Sequence, residues 1–134
     1  MCGVPYHSCE GYIARLISRG YRVAVCEQME EPRPGKDIVR REVIRVISPG
    51  TVLEDSMLDE SRNNYLAAVV IRNSSAGICF ADSSTGAVHM TELGGRLLSQ
   101  KIMSELSRFT PSELIVCSAA ANDAELMQFV KTKI

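Results

Sequence analysis

The residues with the most chemistry in them lie between Arg33 and Arg45. Arg33, Lys36, Arg40, Arg41 and Arg45 stand there against Asp37 and Glu42. Such a run is either the solvated edge of a strand or a patch that touches phosphates. A phosphate patch fixes a duplex in place without reading its bases. Inside the run, "RPGKD" lacks what a nucleotide phosphate loop needs: no first glycine stands at the right distance, and Asp37 replaces the Ser or Thr that would meet magnesium. What remains there is an exposed turn.

The carboxylates and histidines offer less. A metal-dependent nuclease on a ribonuclease-H-like sheet holds two ions on carboxylates, one of them on the first strand. The strand "YLAAVVIRN" carries no acid, and Asp82 and Glu92 fall on different later strands. Asp82, followed by Ser83-Ser84-Thr85-Gly86, reads as turn hydrogen bonding. His89, between Val88 and Met90, reads as a satisfied structural residue. His7, beside Tyr6, lies in a loop at a helix start, but no nucleophile elbow accompanies it. Cys2, Cys9, Cys26, Cys79 and Cys117 include no C-x-x-C pair and no zinc spacing. They read as buried thiols of a reducing cytoplasm.

The elements that must position these groups follow from periodicity. Ser8 is placed to cap a helix beginning near Cys9, with Tyr12, Ile13, Leu16 and Ile17 on one face and Gly20 ending it in the left-handed conformation. "YRVAVCEQ" alternates as a strand. Pro32, Pro34 and Gly35 make a loop, and a charged strand runs from Ile38 to Ile47 until Pro49-Gly50 stops it. Thr51–Asn64 has no sustained period, so it is expected to be a linker with one helical turn. The second half predicts a three-strand meander ("YLAAVVIRN", "AGICFADSS", "AVHMTEL"), with the first strand apolar on both faces and central. A helix over Arg96–Phe109, a fourth strand "SELIVCS" and a helix over Asn122–Lys133 follow.

The fold class expected is therefore α/β, a mixed α+β arrangement with helices packed on a mixed sheet. The chain has 134 residues, 46% hydrophobic and 23% charged, with a formal net charge of -1. That excludes a disordered chain and an overall basic field, so nucleic-acid contact has to come from a local patch. No apolar run spans a membrane, and no signal peptide opens the chain.

"GVPYHS" at Gly3–Ser8, "GYIARLISRGYRVAVCEQMEEP" at Gly11–Pro32 and "REVIRVISPGTV" at Arg41–Val52 resemble the MutS family of bacterial DNA mismatch-repair proteins. The later segments "NNYLAAV", "DSSTGAVHMTEL" and "TPSELIV" are similar to that family's next domain. The resemblance implies a truncated mismatch-binding α/β domain over residues 1–50 and a linker over 51–63. It implies the first part of a ribonuclease-H-like connector domain over 64–134. Both ends of the chain then look cut.

The resemblance also implies a site. Tyr6, His7, Lys36, Arg40 and Arg41 would stand near the duplex backbone, with Glu42 where some relatives are more basic. The family's mismatch-wedging Phe-x-Glu motif is not matched, since Phe80, Phe109 and Phe129 stand in no such motif. ATP and magnesium would belong to the parent protein, as would a homodimer and a cytoplasmic location. A MutL-like partner would dock on the connector. The fragment itself is expected to be non-catalytic and to bind no metal. A stand-alone protein-interaction scaffold with no DNA binding is the alternative. The first half is expected to show exposed strand edges.

Overall fold

Gly20 decides where the first element stops. Helix α1 (Cys9–Ile17) closes with Gly20 at φ +79°, and the Tyr21 N–H turns back to Leu16 O at 3.1 Å. A left-handed residue after a helix is cheap only for glycine. The opposite end departs from expectation. Ser8 does not cap α1, because Tyr6–Ser8 forms a 3-10 turn and holds Ser8 in a helical conformation. Its Oγ donates instead to Pro5 O at 3.1 Å. Side-chain capping needs an extended backbone that this turn denies.

These coordinates are a computed structural model that describes residues 3–30, 39–54, 57–59 and 61–134. The chain forms two compact units, Met1–Pro49 and Gly50–Ile134.

In the first unit, β1 (Val23–Gln28) pairs antiparallel with β2 (Arg41–Ile47). The Pro32–Gly35 loop and the expected strand start at Ile38 lie outside the described residues. Ile13 and Ile17 are buried, while Tyr12 and Leu16, expected on the same face, are exposed. Val23 and Val25 are half-buried, and Val43 and Val46 of β2 remain 57% and 60% exposed. Among the described residues this sheet has two strands, so its outer face and edges are open, as expected from sequence.

In the second unit, β3 (Tyr65–Arg72), β4 (Ser75–Asp82) and β5 (Val88–Gly94) form the meander, and β6 (Glu113–Val116) runs parallel to β3. The sheet order is β5-β4-β3-β6, so β3 is central. Only one of its faces is fully covered: Ala67 and Val69 are buried, and Val70 on the other face is exposed. Helices α2 (Leu98–Phe109) and α4 (Ala124–Lys133) supply Ile102, Leu106 and Leu126 to the core with Ile78 and Phe80. Each such side chain stabilises by about 1.5–3 kcal/mol when taken from water.

Asp123, not Asn122, caps α4, its Oδ1 accepting from the Leu126 N–H at 3.0 Å. One short helix, α3 (Ser118–Ala121), was not legible in the sequence. The cysteines differ from expectation too: Cys26 is exposed, and Cys9, Cys79 and Cys117 are half-buried. The Cys117 thiol is held below its ordinary value mainly by the Ile71 N–H, which donates to Sγ at 3.3 Å. No described helix is long and apolar enough to cross a membrane.

Candidate nucleic-acid interface

Strand β2 carries the basic residues, and a bulge decides where they point. Val25 pairs with Arg45, but Cys26 pairs with Val43, so Ile44 is the extra residue. Side chains alternate along a strand, so one inserted residue reverses everything beyond it. Simple alternation puts Arg41 and Arg45 on one face. With the bulge, Arg45 shares a face with Val25, and Arg41 shares the opposite face with Gln28 and Cys26.

Arg40 sits just before β2 and is engaged twice. Its N–H donates to Glu30 Oε1 at 2.9 Å, and its guanidinium pairs with the Glu42 carboxylate. Glu42 lies directly opposite Glu27 in the ladder. Like charges at that position repel, so Arg40 offsets a local cost as well as offering a cation. Arg41 is exposed, and its Nη1 donates to Val39 O at 3.5 Å, the limit of a hydrogen bond. Arg41 is therefore the freer cation of the pair.

Tyr6 is 86% exposed in the 3-10 turn before α1, and His7 beside it is exposed. Among the described residues no hydrogen bond, ion pair or ring contact joins either of them to Arg40 or Arg41. Lys36, with Arg33, lies outside the described residues. The sequence reading missed a further exposed group, Arg15, whose guanidinium lies 5.6 Å over the Tyr12 ring on α1. The i, i+3 spacing of the two was the signal available. Residues 1–49 carry eight basic against six acidic side chains, and residues 50–134 carry seven against ten, so the basic excess sits in the first unit.

The second unit carries its own buried acid, at the end of β4. Asp82, 2% exposed, is filled by donors. Ser84 N–H and Oγ reach Oδ1 at 2.9 and 2.6 Å, and Asn63 Nδ2 and the Asn64 N–H reach Oδ2 at 2.8 and 3.2 Å. Burial alone would raise this carboxyl, but the hydrogen bonds outweigh it and hold it below its ordinary value. The Ser84 bonds to Oδ1 are those expected of the turn after Asp82. Among the described residues no group of three or more His, Cys, Asp or Glu side chains converges as a metal site. His89 is exposed rather than interior, its ring 5.9 Å from Tyr65 and 5.3 Å from Phe109. A shallow concavity beside Asp82 is lined by Asp59, Ser61, Arg62, Asn63 and Thr85. Asp59 there is held down to about 2, first by the Ser61 hydroxyl and then by the Ser61 N–H and Arg62.

Residues 1–56 match the family model for MutS domain I, and residues 64–134 match that for MutS domain II. The chain is 46% identical over 121 residues to a DNA mismatch repair protein MutS of Syntrophomonas wolfei, covering 90% of this chain and 14% of that protein. It is 49% identical over 118 residues to the MutS of Lachnoclostridium phytofermentans, covering 88% and 12%. It is 42% identical over 133 residues to the MutS of Acetivibrio thermocellus, covering 99% and 15%. The chain thus spans about one-seventh of the length of these relatives.

Proposed function

The chain belongs to the MutS family, and from that premise we propose that it is a non-catalytic part of a DNA mismatch-recognition protein that holds duplex DNA by its backbone. The observation that carries this reading is the order of the two matched domains together with the exposed cations at the start of β2. Arg41 is the main phosphate contact and Arg40 the second once it leaves Glu42, and Tyr6 and His7 are further contacts by sequence alone. Lys36 belongs to the same patch by sequence. Side chains of this kind fix a duplex in place and read no base. Mismatch reading, ATP, magnesium, dimerisation and cytoplasmic location fall to the whole protein, and the domain II half serves as the connector on which a MutL-like partner docks.

The test is fluorescence anisotropy with a G·T mismatched duplex and its matched control at low and moderate salt. Weak binding that is equal for both duplexes, falls with salt and falls again in Arg40→Ala/Arg41→Ala is the expected result. A clear mismatch preference would overturn the assignment of these residues to backbone contact. Absence of binding at low salt would favour the second reading, a protein-interaction scaffold without DNA contact. The engagement of Arg40 by both Glu30 and Glu42 is the observation on that side.

A further inference from the structure

The chain is tied to the second sheet twice before its first strand begins. The first tie is at Gly50, whose N–H donates to Glu113 Oε2 at 3.3 Å. Gly50 lies so close to the sheet that a Cβ there would be 2.8 Å from Glu113 Cβ and 3.3 Å from Leu66 Cβ. Leu66 and Glu113 are themselves register partners in the β3–β6 pair. Only glycine allows that approach.

The second tie is at Asn63 and Asn64. Both donate to Asp82 Oδ2, and Asn64 Oδ1 accepts from Ser112 Oγ at 2.6 Å. The Ser112 N–H in turn donates to Tyr65 O at 2.8 Å. One buried carboxylate therefore joins the β4–β5 turn to the residues entering β3, and the asparagine carries the tie on to the residues entering β6. Such a network is cooperative: if Asn63 and Asn64 leave, Asp82 Oδ2 stays buried without a donor, which is costly. Both ties sit at the same end of the sheet, where Tyr65 faces Asp82 and Leu66 faces Glu113.

We propose that Gly50 and Asn63–Asn64 form a double clasp on the second sheet, Gly50 on Glu113 and the asparagines on Asp82. The chain then becomes an ordered part of the second unit from Gly50 onward. This does not depend on nucleic-acid binding by the first unit.

Amide hydrogen exchange and 15N relaxation on the full chain test it. In the wild type, Thr51 and Val52 are expected to be as ordered as β3, with order parameters of about 0.85. Values below about 0.6 would overturn the proposal. Asp82→Asn turns an amide donor toward groups that are already donors. It is expected to speed exchange at Asn64 and Ser84 by about tenfold or more, leaving the Val69 and Ile78 amides unchanged. An equal rise at Val69 and Ile78 would make Asp82 a fold-wide support and defeat the clasp, as would unprotected Asn64 in the wild type. Gly50→Ala is expected to free Thr51 and Val52 without moving Asn64. If Asp82→Asn does not fold, Ser84→Ala removes one donor and the same amides are read.

Discussion

Phe80 and Phe109 lie nearly parallel, their ring centroids 4.1 Å apart and their planes 17° off. Tyr65 meets both edge-on, at 6.2 Å from Phe80 and 5.4 Å from Phe109. Phe80 comes from the middle of the sheet and Phe109 from the last position of α2, so the stack fixes where that helix ends against β4. Such pairs add about 0.5–1.5 kcal/mol each beyond area burial. Phe80→Ala is expected to cost about 3–5 kcal/mol in urea unfolding of the second unit. Phe109→Ala should cost less, since Phe109 is half-buried. An equal or reversed order would remove the stack from the centre of this core.

Leu97 precedes α2 at φ +61° and is 66% exposed. A branched side chain in the left-handed region is strained, and here little burial compensates for it. Leu97→Gly is expected to stabilise by about 0.5–1 kcal/mol, read as a higher Tm. A lower Tm would mean that Leu97 packs in solution.

Glu42 restrains Arg40, the second of the two cations proposed for phosphate contact. Glu42→Gln should release Arg40, strengthen binding to any duplex severalfold, and steepen the salt dependence by about one phosphate contact. Because the patch reads no base, the gain should be equal for matched and mismatched DNA. A gain confined to mismatched DNA would contradict a backbone role.

Asp82 and Asp123 are both held below their ordinary 3.8. For Asp123 the Leu126 N–H leads, followed by the Ser99 hydroxyl. A depressed folded value means that stability is complete above the unfolded value and is lost as pH falls below it. Urea midpoints should be flat near neutral pH and decline from about pH 4 downward. Asp123→Asn should flatten that decline while an asparagine still caps α4. An unchanged decline would show that Asp123 is not a source of it.

Much of the architecture was legible because it rests on local chemistry. Gly20 and Gly86 both take positive φ, and they stand where a stop and a turn were expected from the sequence. The apolar spacing of Leu98, Ile102, Leu106 and Phe109 is the inward face of α2. Ser8 misled because a capping residue needs an extended backbone, and the preceding 3-10 turn removed it. Cys26 misled because apolar neighbours in sequence do not bury a side chain on an open ribbon face. The candidate cations were legible as residue types, without their pairing: Arg40 and Arg41 are neighbours in sequence, but one is paired to Glu42 and the other is not.

The sequence by itself determined the family, the two-part organisation and the kinds of element, since motif order and periodicity are properties of neighbours along the chain. Tertiary structure alone decided the face on which each cation lies and the state of the buried acid. A single extra residue at Ile44 turns Arg41 away from Arg45, and a bulge arises from pairing between strands that local periodicity does not record. Asp82 is a structural tie because Asn63, Asn64, Ser84 and Thr85 converge on it from two separate stretches, and that convergence exists only once β3 and β4 are paired.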